Sequence, residues 1–176
     1  IVHNSGWLRE GASAPLLMIT AALVLAGLTW QTPQAPETAT YNNFVLNLAF
    51  SYPKSWSVST NNKKETTKMT IPLGGSTKAT VEIFDAIYGA EPDAWQKVQI
   101  DINKQLGREI VRQWQEEILG VPMLFTKVHY YDKGVDTQAL TGLLYNRSYK
   151  KLLLRMVAPI GSYDAVELDL RNALQS

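Results

Sequence analysis

The chain has 176 residues, a formal net charge of +1 with both signs scattered along it, and no cysteine. Without cysteine there can be no disulfide, thiolate zinc site, iron–sulfur cluster or cysteine nucleophile. The balanced charge indicates neither a nucleic-acid-binding face nor a polybasic lipid-binding patch, and the length suits one ordinary domain with a hydrophobic core.

The stretch from Ala12 to Trp30 contains no charged residue and is mostly apolar. At a rise of ~1.5 Å per residue, such a helix is about long enough to cross the ~30 Å hydrocarbon core of a bilayer. Trp7 precedes it and Trp30 ends it, where interfacial aromatic residues usually lie. A cleaved signal peptide is the alternative, but its apolar core is typically shorter, at ~7–15 residues. We therefore expect a retained transmembrane helix over residues 12–30, after an N-terminal flank over residues 1–11.

The charges on either side of this helix indicate its orientation. Arg9 is the only Lys or Arg before it, and the next positive residue is Lys54. The positive-inside rule therefore favours a cytoplasmic N-terminus and a C-terminal domain that is periplasmic or otherwise extracytoplasmic. Residues 31–40 are polar and rich in Pro and Thr, which predicts a short linker before a domain over residues 41–176.

Alternating apolar and polar residues predict strands at the start of this domain. The first is expected over Phe44–Tyr52, where Pro53 ends it, and a shorter one is expected around residues 56–58. Two further alternating runs, over residues 68–73 and 78–83, lie on either side of a Gly-Gly pair. They predict a β-hairpin with one buried face and one exposed face.

The spacing of apolar residues then becomes helical. Pro92 and Asp93 predict the start of a helix, and Gly107 predicts its end. The apolar positions follow at steps of three, four and four residues, which predicts one buried face. These positions are Trp95, Val98, Ile102 and Leu106.

The second half of the chain is predicted to be mostly strand. Residues 108–119 fit either a helix or a strand, whereas Met123–Tyr131 and Leu140–Tyr145 are predicted strands, joined by a polar turn over residues 132–138. Lys151–Pro159 is apolar on both faces, which is typical of a central strand covered on both sides.

The chain ends in a predicted helix that Ser162 caps. Its apolar side carries Tyr163, Val166, Leu170 and Leu174. The order of strands, helix, strands and helix lacks βαβ alternation. It predicts an α+β domain in which helices pack on a mostly antiparallel sheet.

Three short motifs resemble those of the PsbP-like and DcrB-like domains. The run Phe50-Ser51-Tyr52-Pro53-Lys54-Ser55-Trp56 is similar to the family's opening motif, and Leu119-Gly120-Val121-Pro122 is similar to its small-residue turn. The closing helix after an apolar strand and a proline also resembles the family. The resemblance covers residues 41–176 and implies an antiparallel sheet between helical layers, an α/β/α sandwich. It also favours a strand over residues 108–119.

The same resemblance carries an expectation about function. Relatives of this fold are mostly non-catalytic and include extrinsic photosystem subunits, assembly factors, envelope lipoproteins and adaptors that hold other proteins. It therefore implies binding or scaffolding, by analogy of fold.

The residues themselves offer little chemistry. The two histidines, His3 and His129, lie on opposite sides of the predicted transmembrane helix, so we expect them not to form an acid–base pair or a shared metal site. His129 is expected to be a polar-face strand residue. The carboxylates Glu91 and Asp93 are explained by the favourable field of a helix N-terminus. We expect no catalytic residue, no metal site and no cofactor, and the sequence does not identify binding residues.

Two functions remain open at this point. The first is a non-catalytic, single-span accessory or structural subunit of a larger membrane complex, photosynthetic or else respiratory. Its partners would be integral membrane proteins and the lipid bilayer, with no nucleic acid. Tyrosines near the predicted turns could form its contact surface, namely Tyr130, Tyr131, Tyr145 and Tyr149. The second is a membrane-tethered envelope domain that binds a small ligand or lipid, which a cleft lined by several of Trp56, Trp95 and Trp114 would favour.

Overall fold

The computed structural model of the chain describes residues 37–61, 63, 65–86, 91–118, 120–145 and 150–176, which belong to one compact unit. The predicted flank, the transmembrane helix Ala12–Trp30 and the linker up to residue 36 lie outside these described residues. No helix within them is long and apolar enough to cross a membrane. Their elements are β1 (Thr38–Asn43), β2 (Leu48–Pro53), β3 (Ser57–Thr60), β4 (Thr66–Gly74), β5 (Thr77–Asp85), α1 (Pro92–Gln105), β6 (Glu109–Ile118), β7 (Val121–Asp132), β8 (Val135–Tyr145), β9 (Lys151–Pro159) and α2 (Ile160–Leu174).

Seven strands form one antiparallel sheet in the order β3-β4-β5-β9-β8-β7-β6. β1 and β2 pair with each other as a separate antiparallel hairpin. β9 lies in the middle of the seven strands, which confirms the central position that its apolar run predicts, but the predicted cover on both faces is incomplete, because Arg155 is exposed. The antiparallel pairing and the order of the elements confirm the α+β class.

The main hydrophobic core lies between α2 and one face of the sheet. α2 contributes Tyr163, Val166, Leu170 and Ala173, and the β1–β2 hairpin adds Leu46 and Phe50. The sheet contributes alternate residues of its strands, among them Met69, Ile71, Val81, Ile83, Leu140, Leu152, Leu154 and Met156. This alternation is the period-two pattern from which the strands are predicted.

α1 covers part of the opposite face. Its Trp95 is buried against Leu124 of β7 and Leu143 of β8, which lie side by side in the sheet. Leu153 of β9 is opposite Leu143 and packs against the same cluster. Helices therefore lie on both faces of the sheet, as the resemblance implies.

The predicted strand Phe44–Tyr52 is wrong at its start, because residues 44–47 form a turn between β1 and β2. The side-chain Oδ1 of Asn43 accepts hydrogen bonds from the backbone N–H groups of Val45 and Leu46, at 3.1 and 3.2 Å. Asn side chains favour turns through such local bonds, which an alternating hydrophobic pattern does not show. The last three residues assigned to the linker, Thr38–Thr40, belong to β1.

The turn predicted over residues 132–138 is shorter than expected. β7 reaches Asp132 and β8 begins at Val135, so that Lys133 and Gly134 alone form the turn. Both have positive φ, at 50° and 83°. Two consecutive residues of this kind make the tight turn whose twist matches that of the strands.

Residues 109–118 form strand β6, which confirms the choice that the resemblance favours. The hairpin predicted around the Gly-Gly pair is also confirmed, as β4 and β5. Ser162 is not a cap, because α2 already begins at Ile160, directly after Pro159. Pro159 takes the N-cap position, and no side chain forms a capping hydrogen bond there.

The bounds predicted for α1 are confirmed, but its buried face is not. Of the four apolar positions, Trp95 alone is buried, whereas Val98, Ile102 and Leu106 are 48%, 42% and 56% exposed. Asn103 is buried in their place, and its side-chain amide donates to the carbonyl of Gln99 at 2.7 Å. Because this bond lies within the helix, burial of the amide does not leave its donor unsatisfied.

Candidate functional site

A pocket of about 420 Å³ opens at the end of the sheet where the β1–β2 and β6–β7 turns lie. We call it the end pocket. Its walls come from these two turns, the last residues of β8, the start of β9 and the C-terminus of α2. It is lined by Asn42, Asn43, Phe44, Asn47, Leu48, Ala49, Ile118, Val121, Met123, Leu144, Tyr145, Leu152, Leu174 and Ser176.

The lining is mostly apolar, and no side chain in it carries a charge. Ile118, Leu144 and Leu152 are also members of the main core, so the pocket reaches down to the packed interior. The polar groups are Asn42 and Asn43 at the end of β1, Asn47 in the β1–β2 turn, the Tyr145 hydroxyl and Ser176. An apolar cavity with a few polar groups is typical of a binding site, and this one lacks the ionisable pair that acid–base chemistry needs.

The rim of the end pocket is held in place by buried hydrogen bonds. Asn43 is 3% exposed, and its Nδ2 donates to Thr67 Oγ1 of β4 at 3.1 Å. The Tyr41 hydroxyl lies 3.1 Å from the same Thr67 oxygen. Phe44 follows Asn43 directly and is 85% exposed. The turn therefore holds an exposed aromatic ring at the mouth of an apolar pocket.

A second recess, of about 350 Å³, lies between β6 and α2 and is polar. Arg171 donates to Glu167 at 2.7 and 3.1 Å and to Glu116, while Trp114 Nε1 donates to Glu116 at 2.8 Å. Burial opposes the charged form of Arg171, but its hydrogen bonds to Glu167 and Glu116 raise its pKa above the ordinary value. The bond between Arg171 and Glu116 joins α2 to the edge strand β6, whereas the other bonds lie within α2 or within β6.

His129 lies in β7 at the end of the sheet opposite the end pocket. Its Nδ1 is 3.3 Å from Glu109 of β6, and its Nε2 contacts Asp136 of β8. The hydrogen bonds to Asp136 and then to Glu109 raise the pKa of His129 above its usual 6.5. Both ring nitrogens are thus engaged by carboxylates. Among the described residues no group of His, Asp and Glu has the arrangement of a metal site.

The structure does not bring the predicted tyrosines Tyr130 and Tyr145 together. Tyr130 is paired with Thr137 near the start of β8, whereas Tyr145 ends that strand, about 26 Å away at ~3.3 Å per residue. Tyr149 lies outside the described residues. Of the three described tyrosines, Tyr145 alone lines the end pocket.

The tryptophan cleft is not formed either. Trp56 and Trp95 are buried, at 6% and 4% exposure, and Trp114 lines the polar recess. The end pocket is the site that sequence reasoning missed. Its one local signal is an apolar Phe44-Val45 pair among asparagines, which is unusual for a turn.

The comparisons with known proteins show a similarity in fold and none in sequence. No protein-family model matches the chain, and no curated protein matches it in sequence. The solved structure of cyanobacterial PsbP (CyanoP) from Synechocystis sp. PCC 6803 is similar, with a TM-score of 0.54 at 12% identity over 80% of this chain and 91% of that one. A Pseudomonas aeruginosa protein of unknown function, PA94, is similar with a TM-score of 0.51 at 16% identity, over 80% of this chain and 95% of that one. The domain therefore has a PsbP-like fold.

Proposed function

We propose that this chain is a non-catalytic, single-span accessory subunit of a larger membrane protein complex, and that its domain docks on the extracytoplasmic face through the end pocket. The observation that carries the proposal is Phe44, which a buried hydrogen-bond network holds 85% exposed at the mouth of an uncharged apolar pocket. Aromatic side chains, phenylalanine among them, are enriched at protein interfaces relative to the rest of the surface.

Neighbouring residues extend this apolar surface. Val45, next to Phe44 in the turn, is 46% exposed, and the half-buried Tyr145 and Leu174 also line the pocket. A large contiguous apolar patch is uncommon on a monomeric protein and marks an interaction site. A partner would bury it.

The membrane part of the proposal rests on the sequence of residues 12–30, an uncharged stretch of spanning length. The partners are then integral membrane proteins and the bilayer, without nucleic acid. The PsbP-like fold is consistent with an accessory subunit, and it makes a photosynthetic complex the first host to examine, with a respiratory complex next.

The experiment is photo-cross-linking of the full chain in its native membranes. Phe44 is replaced by p-benzoylphenylalanine, and the control carries the same group at Leu168, which is 59% exposed on α2. We expect a cross-link from position 44 to one membrane protein, at a yield that the control does not reach. Equal, non-specific labelling from both positions would count against docking through the end pocket.

A second candidate is a tethered envelope domain that binds a small apolar ligand or lipid. The volume of about 420 Å³ and the apolar lining favour it. Native mass spectrometry of the full chain, released from mild detergent, distinguishes the two functions. A stoichiometric small molecule that a Val121→Trp variant loses would favour the ligand site, whereas a co-purifying protein that Phe44→Ser loses would favour docking.

A further inference from the structure

The face of the sheet that carries α1 is only partly covered by the described residues. α1 packs mainly against β6 and β7, whereas Lys68 of β4, Lys78 of β5 and Arg155 of β9 are exposed on the same face of the sheet. Arg155 shows this most directly, since it lies in the central strand β9 and is nevertheless exposed. In a strand covered on both sides, an arginine at this position would be buried at a high cost.

The exposed apolar residues of α1 lie along the border of this open area. Val98, Ile102 and Leu106 follow Trp95 at helical spacing and so share one flank of the helix with it. Trp95 packs on Leu143 of β8 in the cluster that also contacts Leu153 of β9. The flank of α1 that carries the apolar residues therefore faces β8 and β9. After Trp95, its residues Val98, Ile102 and Leu106 border the uncovered part of the sheet.

The floor of this open area is positively charged. In register across the sheet, Lys68 of β4 is opposite Glu82 of β5, and Glu82 is opposite Arg155. Lys68 and Glu82 form an ion pair at 3.4 Å, whereas Arg155 has no acidic partner among the described residues. Lys78, on the same face of β5, is exposed. The floor thus carries three cations against one carboxylate.

We propose that this area, the α1 groove, binds an acidic amphipathic helix of a partner protein. The groove is defined by Val98, Ile102 and Leu106 as its apolar wall and by Lys68, Lys78, Glu82 and Arg155 as its floor. Apolar side chains of the partner cover the wall, and its carboxylates pair with Arg155 and the lysines. This site is separate from the end pocket, and the proposal does not depend on whether the pocket is the docking site.

Two other occupants fit less well. The side of α1 that is turned furthest from the sheet carries Lys97 and Asp101, both exposed. A flat bilayer would meet these charged groups before it reached the recessed apolar wall. A second copy of the chain, placed groove to groove, would bring like charges together.

The test uses the full chain in nanodiscs and exploits its lack of native cysteine. An environment-sensitive dye is attached through Gln105→Cys, beside the wall of the groove. The probes are two designed helical peptides of the length of α1, which share a leucine stripe and carry either glutamate or lysine on the polar face. We expect the glutamate peptide to bind at least about tenfold more tightly, with an affinity that falls as salt is added.

Variants locate the binding. Ile102→Ser and Arg155→Ala are each expected to weaken the glutamate peptide several-fold. Leu168→Ser removes a leucine that is 59% exposed on α2, against 42% for Ile102, and is expected to leave the affinity for the glutamate peptide unchanged. Equal binding of the two peptides would overturn the proposal, as would the absence of binding up to about 1 mM. A dye response to anionic lipid in the nanodisc, without peptide, would assign the groove to the membrane instead. A response that depends on protein concentration alone would assign it to a second copy.

Discussion

A hydrogen bond between the side chains of Asn43 and Thr67 connects the two sheets. Asn43 Nδ2 in the β1–β2 hairpin donates to Thr67 Oγ1 in β4 at 3.1 Å, and both residues are buried, at 3% and 0% exposure. The same asparagine accepts two backbone N–H groups of the turn through its other side-chain atom. A single residue thus ties the rim of the end pocket to the seven-stranded sheet.

Asn43→Ala is therefore expected to lower the free energy of unfolding by about 1–3 kcal/mol, because it leaves buried hydrogen-bonding groups without partners. Urea denaturation measures this change. The control is Asn42→Ala, at the exposed neighbouring position, which is expected to stay within about 0.5 kcal/mol of the original chain. If the two variants proved equally stable, the bond between Asn43 and Thr67 would not be what holds the rim.

The contacts of His129 with Asp136 and Glu109 predict that the stability of the domain depends on pH. Because Asp136 and Glu109 raise the pKa of His129 in the folded protein, its contribution is fully present below the unfolded value of 6.5. This contribution is lost as the pH rises through the raised value. We expect the urea midpoint to fall over that range, and His129→Gln to remove this part of the fall. The control is His3→Gln, which changes the only other histidine; an identical loss in that variant would contradict the assignment.

Gly142 of β8 is predicted to tolerate no side chain. A Cβ atom at this position would lie 2.9 and 3.0 Å from ring carbons of Phe125. That ring cannot move freely, since it stacks on Trp114 with 5.3 Å between the ring centroids. Gly142→Ala is expected to destabilise the domain by about 1–3 kcal/mol through overpacking, as measured by thermal unfolding. The control is Gly161→Ala, where the added atom has open space. A compensating Phe125→Leu should recover part of the loss if overpacking is the cause.

The proposed anchor can be separated from the domain. Leu23→Arg places a charge in the middle of the predicted transmembrane helix, at a cost of at least ~2.5 kcal/mol on insertion scales. We expect this variant to be soluble or mislocalised and lost from its complex, yet to unfold cooperatively. Leu23→Ile, which keeps the segment apolar, is the control and should stay in the membrane.

A chain that begins at Ala35 tests the same separation from the other side. It keeps Glu37, whose carbonyl accepts the Lys54 N–H at 2.8 Å and whose carboxylate pairs with Lys54 at 2.9 Å. We expect a folded monomer with mixed α and β circular dichroism. An unfolded product would contradict the assignment of one independent domain after residue 34, and full recovery of docking would make the anchor a mere tether.

The sheet could be predicted from the sequence because the pattern of apolar and polar residues in each strand shows which face is buried. In β4, Met69 and Ile71 alternate with polar residues, and β9 is apolar throughout most of its length, so the pattern itself carries the position of each strand. The turn at residues 44–47 could not be predicted in this way. There Phe44 and Val45 continue the apolar run although they face solvent, and the deciding interaction is a side-chain bond of Asn43.

The candidate sites could not be predicted from the sequence, and the reason is a different one. The end pocket gathers five segments that are far apart in the chain, from Asn42 to Ser176, and none of them carries a chemical motif. The α1 groove exists because Val98, Ile102 and Leu106 are on the side of α1 that borders the open strands. They are not on the side of the helix that packs against the sheet. Helical spacing shows that these residues share a flank, but only tertiary structure shows whether that flank is covered.

The geometry of the β1–β2 hairpin also fixes how the domain would carry mechanical load. Six residue pairs separate Thr38, where the chain enters β1, from the turn that holds Phe44. A membrane tether ahead of Thr38 and a partner bound at Phe44 would pull on opposite ends of β1, along the strand axis. The covalent backbone of β1 would carry this tension, and the hydrogen bonds between β1 and β2 would not be pulled apart. β1 would thus act as a tension-bearing strap between the anchor and the docking site.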